Sequence, residues 1–93
     1  MAHHKDALKR IRQNEKRQER NRSIRSFYRK RMRNVRQAIA AKDVAQAQAA
    51  LPLALSAIDR AVAKNVLHRN TAARYKSRLA RAVAALATSN PPA

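Results

Sequence analysis

The chain has no glycine, and its only prolines are Pro52, Pro91 and Pro92. That deficiency removes most of the ways in which a backbone turns sharply. Glycine enters left-handed conformations without steric cost, and two-residue hairpins depend on it. Strands also draw on β-branched and aromatic residues, whereas the aromatics here reduce to Phe27, Tyr28 and Tyr75. Ala, Arg, Lys, Gln and Leu, the strong helix formers, are abundant instead. The sequence predicts helix almost everywhere, in an all-α chain.

At 93 residues one domain is expected. The chain carries 22 Lys and Arg against 5 Asp and Glu, a formal net charge of +17. Such an imbalance repels itself in a compact state, so a polyanionic partner is expected to supply the missing negative charge. Nucleic acid leads, because each neutralised phosphate also releases a condensed counterion. An anionic membrane surface is the rival. Arginines outnumber lysines by 15 to 7. Guanidinium groups grip phosphate through paired hydrogen bonds and stack on bases, which favours structured RNA over a membrane surface.

The charge is distributed unevenly. Residues 1–36 hold 14 basic and 3 acidic residues, a net of +11, and residues 37–93 supply the remaining +6. From Arg12 to Ser23 the chain reads RQNEKRQERNRS, without one apolar residue. A helix there has no face to bury. Its support comes from helix formers and from local pairs such as Glu19 with Arg22. Residues of about 5–22 are therefore expected to fray in the free protein and to become helical on the polyanion.

Apolar periodicity begins at Ile24 and runs through Phe27, Tyr28, Met32, Val35 and Ile39, at the steps of three and four that mark one buried helical stripe. The first helix is thus expected over about 5–41, as a bundle segment with a long basic N-terminal extension. Asp43 is a good N-cap, with Gln46 three residues on in a capping-box pattern. The short joint at Lys42–Asp43 predicts a second helix, about 44–64, folded back antiparallel. Its stripe is Val44, Ala47, Leu51, Ala54, Ile58 and Ala61, with a kink or loosening expected near Pro52. Asn65 tolerates the left-handed shape that ends a helix. The third helix, about 68–87, carries Ala72, Tyr75, Leu79, Ala82 and Leu86 on one side and Arg74, Arg78 and Arg81 on another. Residues 88–93 are expected to be a disordered tail. The fold predicted is a three-helix bundle with an Ala-rich core.

Other functions find little support. There is no cysteine, hence no disulfide framework and no thiolate metal site, which fits a reducing compartment. No apolar run approaches a membrane span or a signal-peptide core, so the chain is expected to be cytoplasmic. The acids Asp6, Glu15, Glu19, Asp43 and Asp59 are scattered. No two of them pair, and no nucleophile accompanies a base, so no enzyme and no cofactor are expected. A histidine third from a free amino terminus binds copper or nickel in a square plane, but His3 and His4 are expected to hold no metal. Among the aromatics, packing is preferred to base stacking, with Tyr28 the best candidate for exposure. Duplex DNA is harder to exclude on charge alone, so a nucleoid-type non-specific DNA-binding protein is the alternative.

Two stretches carry a resemblance. HHKDALKRIRQNEKRQERNRSIRS, residues 3–26, and HRNTAARYKSRLAR, residues 68–81, resemble the S-twenty family of bacterial small-subunit ribosomal proteins. The likeness spans Ala2 to about Leu86. It implies a three-helix bundle bound to small-subunit ribosomal RNA, in the 5′ domain and near the long penultimate stem, on the ribosome beside other ribosomal components. No homo-oligomer is expected. Carried over position by position, it points on the first helix to Lys5, Lys9, Arg10, Arg12, Lys16, Arg17, Arg20, Asn21, Arg22, Arg25, Ser26 and Arg29. On the third it points to His68, Arg69, Asn70, Arg74, Lys76, Ser77 and Arg78. Asp6 stands where the family usually has a small hydroxyl residue, and Asn65 where glycine is common.

Overall fold

The computed structural model describes residues 3–89, with side chains from residue 6 onward. The side chains of His3, His4 and Lys5 lie outside the described residues, as do residues 90–93 of the expected tail. Three helices account for nearly all of the rest: α1, His3–Ala40; α2, Val44–Ala63; and α3, Arg69–Ser89. Among the described residues there is no strand, and the fold is an all-α helical bundle.

Without glycine, two other residues take the left-handed positions: Lys42 at φ 56° and Asn65 at φ 60°. Each closes a helix in the same way. The Lys42 N–H donates to the Ile39 carbonyl, and the Asp43 N–H donates to that of Ala38. At the second joint the Asn65 N–H donates to Val62 and the Val66 N–H to Ala61. These paired bonds satisfy carbonyls that the helix ends leave free, in a Schellman arrangement. Asp43 then opens α2, its side chain accepting from the Gln46 N–H at 3.1 Å. The reciprocal half of a capping box is not made, because the Asp43 N–H is already engaged by Ala38.

The helices fold back as the short joints require. The N-terminal side of α2 lies along residues 31–41 of α1, and Ala57 and Arg60 lie beside Ser23 and Phe27. The core comprises Tyr28, Met32, Val35 and Ala38 from α1; Ala47, Ala54, Ala57, Ile58 and Ala61 from α2; and Ala72, Leu79, Val83 and Leu86 from α3. Ile58 and Val35 are its largest wholly buried side chains. Such an aliphatic side chain contributes roughly 1.5–3 kcal/mol on full burial. The alanines contribute less area but let the helix axes approach closely.

Several local details depart from the sequence reading. Tyr28 is buried at 4% exposure, while Phe27 is the exposed aromatic at 46%. The continuous stripe is 24, 28, 32, 35 and 39, and Phe27 sits one residue, about 100° of rotation, off it. Val83 and Ala57 join the core, whereas Tyr75 and Ala82 are only half-buried. α2 runs through Pro52 without interruption. Pro52 and Gln48 are both exposed, so the Gln48 carbonyl that loses its amide partner faces water. Finally, Thr88 and Ser89 are helical rather than part of a tail, with the Thr88 hydroxyl donating to the Ala84 carbonyl at 2.9 Å.

α1 is unbroken over 38 residues, about 57 Å at 1.5 Å per residue. The molecule is accordingly drawn out to 73 × 21 × 15 Å, with a radius of gyration of 18.4 Å. A compact chain of this length has about 12 Å. Every described residue before Asn21 is exposed. This arm buries nothing, so its helicity rests on intrinsic propensity and on continuity with the packed half of α1.

Candidate nucleic-acid interface

The candidate interface is built on α1. On its arm, Lys9, Arg12, Lys16 and Arg20 recur at steps of three, four and four, which aligns them on one side of the helix. From Arg22 onward a second series begins: Arg22, Arg25, Arg29, Arg33 and Arg36, at steps of three, four, four and three. Arg20 and Arg22 are two residues apart, about 200° of turn. The two stripes therefore face nearly opposite sides of one rod. All nine of these side chains are exposed, and among the described residues no charged group is buried. Their heads stay hydrated and available, with little cost of desolvation before a partner arrives.

The second stripe runs beside α3. Arg29, Arg33 and Arg36 line a cleft of about 300 Å³ whose other walls are Tyr28, Met32 and the half-buried Tyr75. Three guanidinium groups over an apolar floor with a phenol at the edge form a cradle for phosphate oxygens. On α3, Arg74, Arg78 and Arg81 are exposed and recur at helical spacing, a further basic series.

The other expected site residues divide by environment. Arg10, Arg17, Ser26, Arg69, Asn70 and Ser77 are exposed. Asn21 is half-buried where the arm meets the bundle, and its Oδ1 is shielded from solvent without a hydrogen-bond partner. His68 caps α3, its Nδ1 accepting from the Asn70 N–H at 3.1 Å. Lys76 is half-buried and bridges to Asp59 at 2.8 Å, tying α3 to α2. Its ammonium is the one expected cationic RNA ligand held in an ion pair among the described residues.

Arg33 and Arg36 are missing from the residues singled out above, although their spacing continues the series Arg22, Arg25, Arg29. The signal was periodicity among arginines rather than among apolar residues. Arg31 and Arg60 are also additional. Arg31 lies over the exposed Phe27 ring, 5.1 Å from its centroid, and Arg60 borders a cleft that the same ring lines.

Comparison with known proteins gives this surface a context. The Ribosomal protein S20 family profile matches residues 2–84, most of the chain. The chain belongs to this family. Among S20 relatives, the small ribosomal subunit protein bS20 of Geobacter metallireducens is 53% identical over 83 residues, covering 89% of this chain and 95% of the relative. That of Pseudomonas paraeruginosa is 49% identical over 88 residues, with 95% and 97% covered. That of Bordetella avium is 52% identical over 87 residues, with 94% and 100% covered. The S20 match includes the whole of α1 and most of α3, the two helices that carry the basic stripes.

No helix among the described residues is long and apolar enough to cross a membrane. No three His, Cys, Asp or Glu side chains among them gather as a metal site would require.

Proposed function

We propose that this chain is a structural constituent of the bacterial small ribosomal subunit, that it binds small-subunit ribosomal RNA directly, and that it supports folding and assembly of that RNA. It is not an enzyme, and it works in the cytoplasm, on the ribosome. Membership of the S20 family, whose relatives bear the name of a small-subunit protein, is the observation that carries the reading. The geometry supports it: a rod with arginine and lysine stripes on nearly opposite sides is suited to lie between two RNA segments rather than along one.

The mechanism is electrostatic clamping. The arm stripe, Lys9, Arg12, Lys16 and Arg20, follows one run of phosphates. Arg22, Arg25, Arg29, Arg33 and Arg36, with Arg74 and Arg78 of α3, hold another. Such contacts read A-form shape and backbone more than base edges. Within the RNA, the 5′ domain and the neighbourhood of the long penultimate stem are the segments proposed. Lys5, Arg10, Arg17, Asn21, Ser26, His68, Arg69, Asn70, Lys76 and Ser77 complete the proposed contact set.

Affinity for purified small-subunit RNA, random duplex DNA and anionic vesicles across a salt series tests the reading. Tighter binding to the ribosomal RNA at every salt concentration is expected. Equal affinity for DNA and RNA throughout would sink it and favour a nucleoid-type DNA-binding role.

A further inference from the structure

Phe27 is an oddity in this surface. It is nearly half exposed at 46%, one residue off the core stripe, in a chain with only three aromatics. Arg31 covers it from the C-terminal side at 5.1 Å. On the N-terminal side it borders an open cleft of about 200 Å³ shared with Ser23, Ile24, Ala57 and Arg60. Ile24, Phe27 and the small Ala57 make most of its lining apolar, and Arg60 brings a guanidinium to it. The uncovered part of the ring remains in water beside two arginines, where it adds nothing to the packing of the bundle.

Its position along α1 supplies the missing reason. Phe27 lies seven residues, two turns and about 10 Å, beyond Arg20, and so on the same side of the helix as the arm stripe Lys9, Arg12, Lys16 and Arg20. A strand whose phosphates follow that stripe arrives at an aromatic face where the cations pause. We propose that Phe27 is a stacking platform for one unpaired nucleobase of the bound RNA. The base enters the cleft that Phe27 lines with Ala57, against the ring, with its phosphate held by Arg60. Stacking on an aromatic needs no particular base, and the guanidinium of Arg31 over the same ring adds a cation–π contact. The charge around the cleft is positive throughout, which suits a nucleotide and opposes a basic protein segment. This inference rests on the RNA-binding reading above and specifies what that surface recognises beyond phosphate.

The test uses the full chain and purified small-subunit RNA without other proteins. The protein has no tryptophan, so Phe27→Trp installs a single reporter whose emission a stacked base quenches. Quenching on RNA addition is the expected result. Phe27→Ala and Phe27→Leu should each weaken binding roughly tenfold or more, the range for losing one stacked base. Both should leave the slope of log affinity against log salt unchanged, since every phosphate-binding cation is retained, and Phe27→Leu, which keeps an apolar side chain beside Ala57, should melt close to the parent. Full affinity in Phe27→Leu, or unmoved Trp emission while the parent chain binds the RNA, would overturn the stacking site and leave a protein partner as the occupant. Failure of the parent chain to bind would instead overturn the RNA-binding reading, and this proposal with it.

Discussion

Substituting Gln18 by proline separates what the arm contributes by shape from what it contributes by charge. Gln18 is exposed, in the middle of α1, and no described residue before Asn21 is buried. Proline there removes one amide donor and clashes with the carbonyl of Asn14, at a cost of about 3 kcal/mol in a helix interior. The packed half of α1 begins near Ile24 and nucleates the arm in the parent chain. Once cut off, residues 3–17 are too short to hold a helix alone in water.

Three measurements follow. Circular dichroism should lose up to about one-fifth of the helical signal, the share of helical residues lying before position 18. The melting temperature of the bundle should move by less than about 2 °C, because 1 kcal/mol corresponds to about 4–8 °C in a domain of this size and the core is untouched. Affinity for small-subunit RNA should fall by roughly a hundredfold, the equivalent of about 3 kcal/mol, if the bound arm is one straight helix. The salt slope should hardly change, since every cation remains. A large drop in melting temperature would refute the claim that the arm is unpacked. Undiminished affinity would refute the claim that its helical form positions the stripe. A parent chain whose helicity is complete without RNA, and does not rise when RNA is added, would remove the expectation that the arm frays in the free protein.

Other outcomes follow from single sites. Replacing Arg29, Arg33 or Arg36 by Gln should lower the magnitude of the salt slope by about 0.7–0.9 for each phosphate no longer neutralised, measured on the same RNA; an unchanged slope would exclude that residue from the interface. Ile58→Ala should destabilise the bundle by about 2–5 kcal/mol, because Ile58 is wholly buried between alanines that close the gap poorly; denaturant unfolding reads this directly, and a cost under about 1 kcal/mol would mean a looser core. Lys42→Gly should stabilise by about 0.5–1 kcal/mol, the relief of a left-handed Cβ less the entropy that glycine adds to the unfolded chain. Lys42→Ala, which keeps the Cβ, should not stabilise. His68→Ala should cost about 1 kcal/mol through loss of the cap on α3, visible in the melt without RNA; an unchanged melt would show that the ring does not hold the end of α3.

Much of this architecture was legible in the residues. The stretch Arg12–Ser23 has no apolar side chain, and no arrangement of helices could have packed it. The three-and-four steps around Val35, Ile58 and Leu79 place one face of each helix inward. What the residues did not disclose was rotation and neighbourhood. Phe27 and Tyr28 are adjacent, both apolar in outline, and only the continuity of 24, 28, 32, 35 and 39 decides which turns inward. Asn65 announces a left-handed turn by its type, whereas Lys42 does not. Its φ follows from the demand that α1 end and α2 return within three residues. Arg33 and Arg36 repeat the spacing of Arg25 and Arg29, but Tyr75 as the opposite wall of their cleft depends on where α3 lies. The bonds from His68 and Lys76 are likewise tertiary or end effects that periodicity does not encode.

The composition of the core bears on how the protein is stabilised where it works. Of thirteen buried hydrophobic side chains, six are alanines, so the area removed from water is modest for three helices. The net charge of +17 acts against compaction. Both terms improve together when a polyanion binds: the repulsion is relieved, and the arm gains a surface against which to be a helix. Binding to the folded state alone adds stability that grows with the logarithm of partner concentration over its dissociation constant, about 4 kcal/mol at a thousandfold excess. A thin, alanine-lined bundle is therefore sufficient for this chain, because its rigidity is needed only alongside RNA. The same logic explains why the arm's cations stand unpaired among the described residues. Internal ion pairs would have steadied the free arm, but each would have had to be broken before a phosphate could take its place.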